Sequence, residues 1–137
     1  MSKKTIYCDG TFDLIHSGHI NFFKKCKSLG DILIVGVISD ENVKSYKRKP
    51  IINLDNRCYM LEHITLIDKV IKNCPFNNLS KQFITDNNID FVVYASKNGL
   101  KEWENHYNNA IDMNIMKYVK YNETISTSEI IKKIKDN

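Results

Sequence analysis

Nowhere in this sequence do roughly 18 apolar residues run together, the length a helix needs to cross a bilayer, so no integral membrane segment is expected. The chain opens Met-Ser-Lys-Lys and goes directly into a strand, with no apolar signal core. Its cysteines, Cys8, Cys26, Cys58 and Cys74, are widely spaced; no Cys-x-x-Cys pair occurs and no histidine falls at zinc-ligand spacing. A structural metal site is therefore not expected, and reduced thiols in a cytoplasmic compartment are. Internal repeats, linkers and low-complexity tracts are also missing, so residues 1–137 read as a single domain.

What is present is ordinary globular composition, 42% hydrophobic and 26% charged, which argues against disorder and against a fibrous repeat. The formal charge is only +4, from 20 basic and 16 acidic residues, but Lys44, Lys47, Arg48 and Lys49 crowd into one short stretch. Such a concentration favours an anionic partner. Aromatic residues do not alternate with these cations as base stacking would require, so no nucleic-acid partner is expected.

Ile6-Tyr7-Cys8 is a short apolar run closed by Asp9-Gly10, and from Ile20 onward Phe22, Phe23, Cys26 and Leu29 recur at helical spacing until Gly30. Ile32 to Ile38 is almost continuous Ile, Leu and Val, the mark of a strand covered on both faces. Beyond the basic stretch, Tyr59, Met60, His63, Ile64 and Ile67 predict a helix beginning near Asp55, followed by a strand at Val70-Ile71. Leu79, Phe83 and Ile84 mark a further helix, Ile89–Tyr94 a strand, Trp103–Ile111 a helix, Met116–Val119 a strand and Ser126–Ile134 a helix. The alternation predicts an α/β fold: a Rossmann-like, doubly wound, parallel five-stranded sheet with helices on both faces. Ligands of such sheets bind beyond the carboxyl ends of the strands, which directs attention to the first such turn, Asp9 to His19.

His16 and His19 are spaced i, i+3 at the start of a helix and project from one side of its first turn, while Gly18 between them allows close approach to the backbone. Free N–H groups and the positive end of the helix favour an anion there, and the imidazoles add donors. The expectation is a phosphate-sized pocket. At the other end of the chain, Ser126 and Glu129 have capping-box spacing, so Ser126 can be read as no more than a cap.

The segment Gly10-Thr11-Phe12-Asp13-Leu14-Ile15-His16-Ser17-Gly18-His19 resembles the nucleotide-binding signature of the cytidylyltransferases. Gly36-Val37-Ile38-Ser39-Asp40-Glu41, Tyr46-Lys47, the helix carrying Arg57, Ile67 to Ile71, Cys74-Pro75-Phe76, Ile89 to Val92 and Ile125 to Ser128 continue the resemblance in order and approximate spacing. It is strongest toward the choline-phosphate and ethanolamine-phosphate enzymes, with a length similar to the glycerol-3-phosphate enzyme. The resemblance implies CMP transfer from CTP to a small phosphorylated alcohol or amino-alcohol, with Mg²⁺ carried on the triphosphate. It also implies a homodimer joined through the first turn and the segment Ile64 to Asp68.

By the same resemblance, His16, His19 and Lys47 meet the triphosphate and the transition state, and Gly10, Thr11, Phe12 and Gly18 line the nucleotide turn. Arg57 has a supporting role in nucleotide binding, and Ile125, Ser126, Thr127 and Ser128 form a second binding point for the β- and γ-phosphates. Asp13, Phe76 and Ser96 fall at acceptor positions, Phe76 as an aromatic face for a cationic head. Three positions depart from the pattern. Tyr121 and Thr65 stand where the family has arginines, and Ala95-Ser96 stands for an acidic pair. Lys97, Lys117 or Lys120 are candidates to restore the missing charge. Two readings of different class follow: an active nucleotidyltransferase, or a degenerate relative that binds nucleotide as a regulatory or interaction module.

Overall fold

A computed structural model describes residues 2–96, 100, 102–120 and 125–137. The elements run β1 (Thr5–Gly10), α1 (Ser17–Lys27), β2 (Ile32–Val37), α2 (Asp40–Lys44), α3 (Leu54–Glu62), β3 (Lys69–Lys72), α4 (Lys81–Asp86), β4 (Phe91–Ser96), α5 (Glu104–Asp112), β5 (Met116–Lys120) and α6 (Thr127–Asp136). The five strands form one sheet in the order β3-β2-β1-β4-β5, and every pairing is parallel. This is the doubly wound sheet the alternation of elements predicts.

Period-two alternation along the central strands divides the core. Ile6 and Cys8 of β1, with Leu33, Val35 and Val37 of β2, pack against Phe23 and Cys26 of α1 and Cys58 and Leu61 of α3. Tyr7, Ile34 and Val92 point the other way, onto Ile84 of α4 and Tyr107 and Ala110 of α5. Helices therefore cover both faces, and truncating a fully buried side chain such as Leu33 or Phe23 should cost about 2–5 kcal/mol. Strand order reverses at β1, which has β2 on one side and β4 on the other. The carboxyl ends of β1 and β4 consequently flank a crevice.

One helix differs from expectation in its inward face. Tyr59 and Met60 are 60% and 52% exposed, while Arg57, Cys58 and Leu61 face the core. Asn53, whose side chain accepts from the Asn56 N–H, caps α3 upstream of Asp55, and the helix ends at Glu62, so His63, Ile64 and Ile67 belong to the following turn. The apolar pattern had been read across a helix end. The short helix α2 was not anticipated; Ser39 caps it by accepting from the Asn42 N–H.

Candidate active site

A cleft of about 600 Å³ opens at the carboxyl ends of β1 and β4 and is lined by the first turn, the basic loop, and the start of α6. Its size suits a nucleotide. The first turn reaches it through tight geometry. Phe12 and Leu14 adopt left-handed backbone angles, φ 54° and 48°, which L-residues hold only when their surroundings compensate. Phe12 is anchored on Phe23, with ring centroids 5.2 Å apart, and the His19 ring stands edge-on to it at 5.9 Å.

His16 is the N-cap of α1, in extended backbone geometry, and the two histidines cap the helix reciprocally. His16 Nδ1 accepts from the Gly18 N–H at 3.0 Å, and His19 Nδ1 accepts from the His16 N–H at 3.1 Å. These bonds fix the tautomer: with Nδ1 accepting, each neutral ring carries its proton on Nε2. The rings lie 3.9 Å apart and 37° from parallel. Burial first, then the neighbouring His16, lowers the His19 pKa to about 4; burial also lowers that of His16. Near neutral pH the pair is thus two uncharged N–H donors, and no acidic residue occupies the first turn to compete for the helix dipole.

Gly18 has a second reason. A Cβ there would lie 2.7 Å from Cε1 of His16 and 3.3 Å from the Ile125 carbonyl oxygen. The missing side chain leaves room for the His16 ring and for Ile125. The start of α6 is tied to the first turn by Thr127 Oγ1, which donates to the Asp13 carbonyl at 2.8 Å. Ser126 Oγ accepts from the Glu129 N–H and caps α6. Two helix starts, α1 and α6, therefore meet at one cleft.

Of the residues singled out in the sequence, Gly10, Thr11, Phe12, Asp13, His16, Gly18, His19, Lys47, Phe76, Ile125, Ser126, Thr127 and Ser128 all line this cleft. Lys47 has its pKa lowered, by burial foremost and then by Arg48. Arg57 is brought elsewhere. Its guanidinium is fully buried and spent on the protein itself: Nη2 on Asp40 at 2.6 Å, Nη1 on the Thr11 carbonyl at 2.7 Å, Nε on the Ile52 carbonyl at 2.9 Å. Its support of the nucleotide turn is mechanical, from behind. Asp13 lines the cleft, but its carboxylate accepts from the Ile51 and Ile52 N–H groups at 2.7 and 2.9 Å and from Arg48 at 3.4 Å, so it holds the basic loop rather than offering a free charge. Ser96 borders a separate cavity with Leu100, Glu104, Ile111 and Tyr118.

Two further lysines stand at the cleft. Lys120 lines the cleft, and so does Lys25, whose Nζ donates to the Lys120 carbonyl at 3.0 Å. Lys117 instead lies over the Phe91 ring at 4.8 Å. Tyr121 and Lys97 lie outside the described residues. Lys25 escaped notice in the sequence because a lysine on an amphipathic helix reads as solvated surface.

Sequence reasoning also missed the aromatic and acidic wall. Tyr46 stacks on Phe76 at 5.6 Å and stands edge-on to Trp103 at 5.0 Å, so Phe76 belongs to a trio. Beside it, the buried Asp9 carboxylate accepts from Tyr107 Oη at 2.5 Å and Tyr7 Oη at 3.1 Å and pairs with His106 Nε2 at 2.8 Å. Burial first, then Asp9, holds both phenols well above the usual tyrosine range, so they remain O–H donors. The signal the sequence offers for it is the Asp9-Gly10 ending of β1, which by itself marks no more than a strand stop.

The cytidylyltransferase-like family matches residues 7–133. An ethanolamine-phosphate cytidylyltransferase from Arabidopsis thaliana is 34% identical over 98% of this chain and 33% of its own length. Choline-phosphate cytidylyltransferase A from Homo sapiens is 33% identical over 94% of this chain and 36% of its own. The chain thus spans about a third of those relatives. Glycerol-3-phosphate cytidylyltransferase from Bacillus subtilis (strain 168) is 34% identical over 96% of this chain and 97% of its own. The lipopolysaccharide core biosynthesis protein from Thermoplasma volcanium GSS1 superposes with a TM-score of 0.69 at 22% identity, covering 90% of this chain and all of that one, which supports the fold. With the paired histidines at the head of α1, the parallel sheet and a family match over nearly the whole sequence, this chain belongs to the cytidylyltransferase-like family.

Proposed function

We propose that this protein transfers CMP from CTP to a small phosphorylated alcohol of the class its relatives use. A phosphate oxygen of the acceptor attacks the α-phosphorus, the bond to the β-phosphate breaks, and pyrophosphate leaves with the electron pair. The observation that carries this reading is the convergence of two helix starts and two neutral Nε2–H donors on one cleft. Such an array suits charge that spreads over phosphoryl oxygens during in-line displacement. His16 and His19 donate to those oxygens, the α6 start takes the departing phosphates, and Lys25, Lys47 and Lys120 are the basic side chains at the cleft. Lys25 and Lys120, which line the cleft, favour activity over a degenerate binding module.

Mg²⁺ would enter on the triphosphate, where it neutralises phosphate charge. The cleft's two carboxylates, Asp9 and Asp13, are already engaged by N–H and O–H donors, so the protein's own contribution is positioning rather than a metal cage. We assign the acceptor to the part of the cleft lined by Tyr46, Phe76 and Trp103. We also propose a two-fold dimer through the segment Ile64 to Asp68, next to the exposed Tyr59 and Met60. Light scattering at high micromolar concentration checks it, and a monomer there contradicts it.

The test of the reaction is pyrophosphate release with CTP, ATP, GTP and UTP, each with Mg²⁺ and a mixture of phosphorylated small alcohols. Release with CTP at least tenfold above the other nucleotides supports the reading. Preference for ATP moves the protein to adenylyl transfer, and no release with any nucleotide leaves nucleotide binding alone.

A further inference from the structure

Resting on that reading, we propose that His106 is a specificity-determining residue whose Nδ1 binds a hydroxyl of the acceptor, so that the acceptor is a phosphorylated polyol rather than a quaternary ammonium. His106 is 4% exposed, lines the cleft, and stands beside Trp103 with ring centroids 6.2 Å apart. Its Nε2 is taken by Asp9 at 2.8 Å. Its Nδ1 is buried with no hydrogen-bond partner among the described residues. A buried polar atom left unpaired costs free energy comparable to a lost hydrogen bond, and on a residue that lines the cleft it calls for a partner, which a small shift of the ring on ligand binding would provide.

The chemistry of that atom selects the ligand. If the ring is neutral, its proton sits on Nε2 toward Asp9, and Nδ1 is a lone pair in need of a donor. If the ring is charged, Nδ1 carries a proton and needs an acceptor. A hydroxyl serves in either state, because it both donates and accepts. A trimethylammonium group serves in neither. The carboxylate that could otherwise attract such a cation is Asp9, and three side chains, Tyr7, Tyr107 and His106, already crowd its two oxygens. Tyr46, Phe76 and Trp103 then act as apolar walls for the carbon skeleton of the polyol.

A pair of variants separates the two ring nitrogens. His106→Gln carries an amide to roughly the Nε2 position and can keep the Asp9 contact while losing the Nδ1 function. His106→Asn carries one near Nδ1 and gives up Asp9. The measurement is pyrophosphate release with CTP and, separately, glycerol-3-phosphate and phosphocholine, reported as the ratio of the two kcat/KM values. The wild-type ratio should favour glycerol-3-phosphate at least tenfold; His106→Gln should lower the ratio about tenfold or more, mainly through KM, and His106→Asn should restore most of it. A wild type that prefers phosphocholine overturns the inference while leaving CMP transfer intact, as does a His106→Gln protein with an unchanged ratio. Should both variants misfold, the wild-type ranking decides alone. Absence of release with both acceptors, and with a wider acceptor panel, removes the proposed reaction and this acceptor class together.

Discussion

Thr127 Oγ1 donates a 2.8 Å hydrogen bond to the carbonyl of Asp13, joining residues 114 positions apart and fixing the start of α6 against the turn that follows β1. A serine or threonine at the first position of a helix is ordinarily free to serve water. Here it ties the start of α6 to the turn that leads into α1. Thr127→Val keeps the shape and removes the bond, and it should weaken CTP binding by about tenfold, since a single hydrogen bond contributes roughly 0.5–1.5 kcal/mol. Titration calorimetry with CTP and Mg²⁺ checks this. An affinity equal to wild type would mean that the two helix starts are held by other contacts.

Arg57 makes a stability prediction rather than a catalytic one. Its side chain is 0% exposed and bridges Asp40, the Thr11 carbonyl and the Ile52 carbonyl, so removing it leaves three acceptors without their donor. Breaking a buried pair of this kind typically costs about 3–5 kcal/mol; because Asp40 is 24% exposed and can regain water, the lower end applies to Arg57→Met. Urea unfolding measures it. A loss below about 1 kcal/mol would show that the turn does not depend on this bridge.

The histidine pair links folding to pH. Burial holds the folded His19 pKa near 4, below the usual 6.5 that applies in the unfolded chain. Between those values the unfolded chain binds a proton that the folded ring refuses, so stability rises with pH across that window and is lost as pH falls from 6.5 toward 4. His16, also lowered by burial, acts in the same direction. Between pH 7 and pH 5 the wild type should lose about 1–2 kcal/mol more than His19→Asn does, again read by urea unfolding. Parallel losses in the two proteins would contradict the assignment of His19 as buried and neutral.

Much of this architecture was legible because its signals are local. The near-continuous apolar run at Ile32 to Ile38 announces a strand buried on both faces, and β2 is one. The His16, Gly18 and His19 grouping likewise marks a helix start, and α1 begins there with the two histidines as its cap. What the sequence concealed depends on distant partners. Arg57 looks like a helix-surface cation until Asp40 and Thr11 fold over it, and Asp13 looks available until the amides of Ile51 and Ile52 arrive. Trp103 and His106 reach the cleft only because α5 crosses behind β4, which no spacing along the chain reveals. Gly18 lines the cleft, and what spacing does not reveal is that the His16 ring also needs the room its missing side chain leaves.

The central claim, that His16 and His19 act on charge developing during CMP transfer, is tested by measuring CTP affinity and pyrophosphate release together for wild type, His16→Ala and His19→Ala, with circular dichroism to verify folding. Interactions made only in the transition state lower kcat far more than they weaken ground-state binding. Each variant should therefore lose about 10²–10³-fold in turnover while its CTP affinity falls by less than about tenfold. Folded histidine variants that turn over at the wild-type rate, or that lose affinity and turnover in equal measure, would contradict the account.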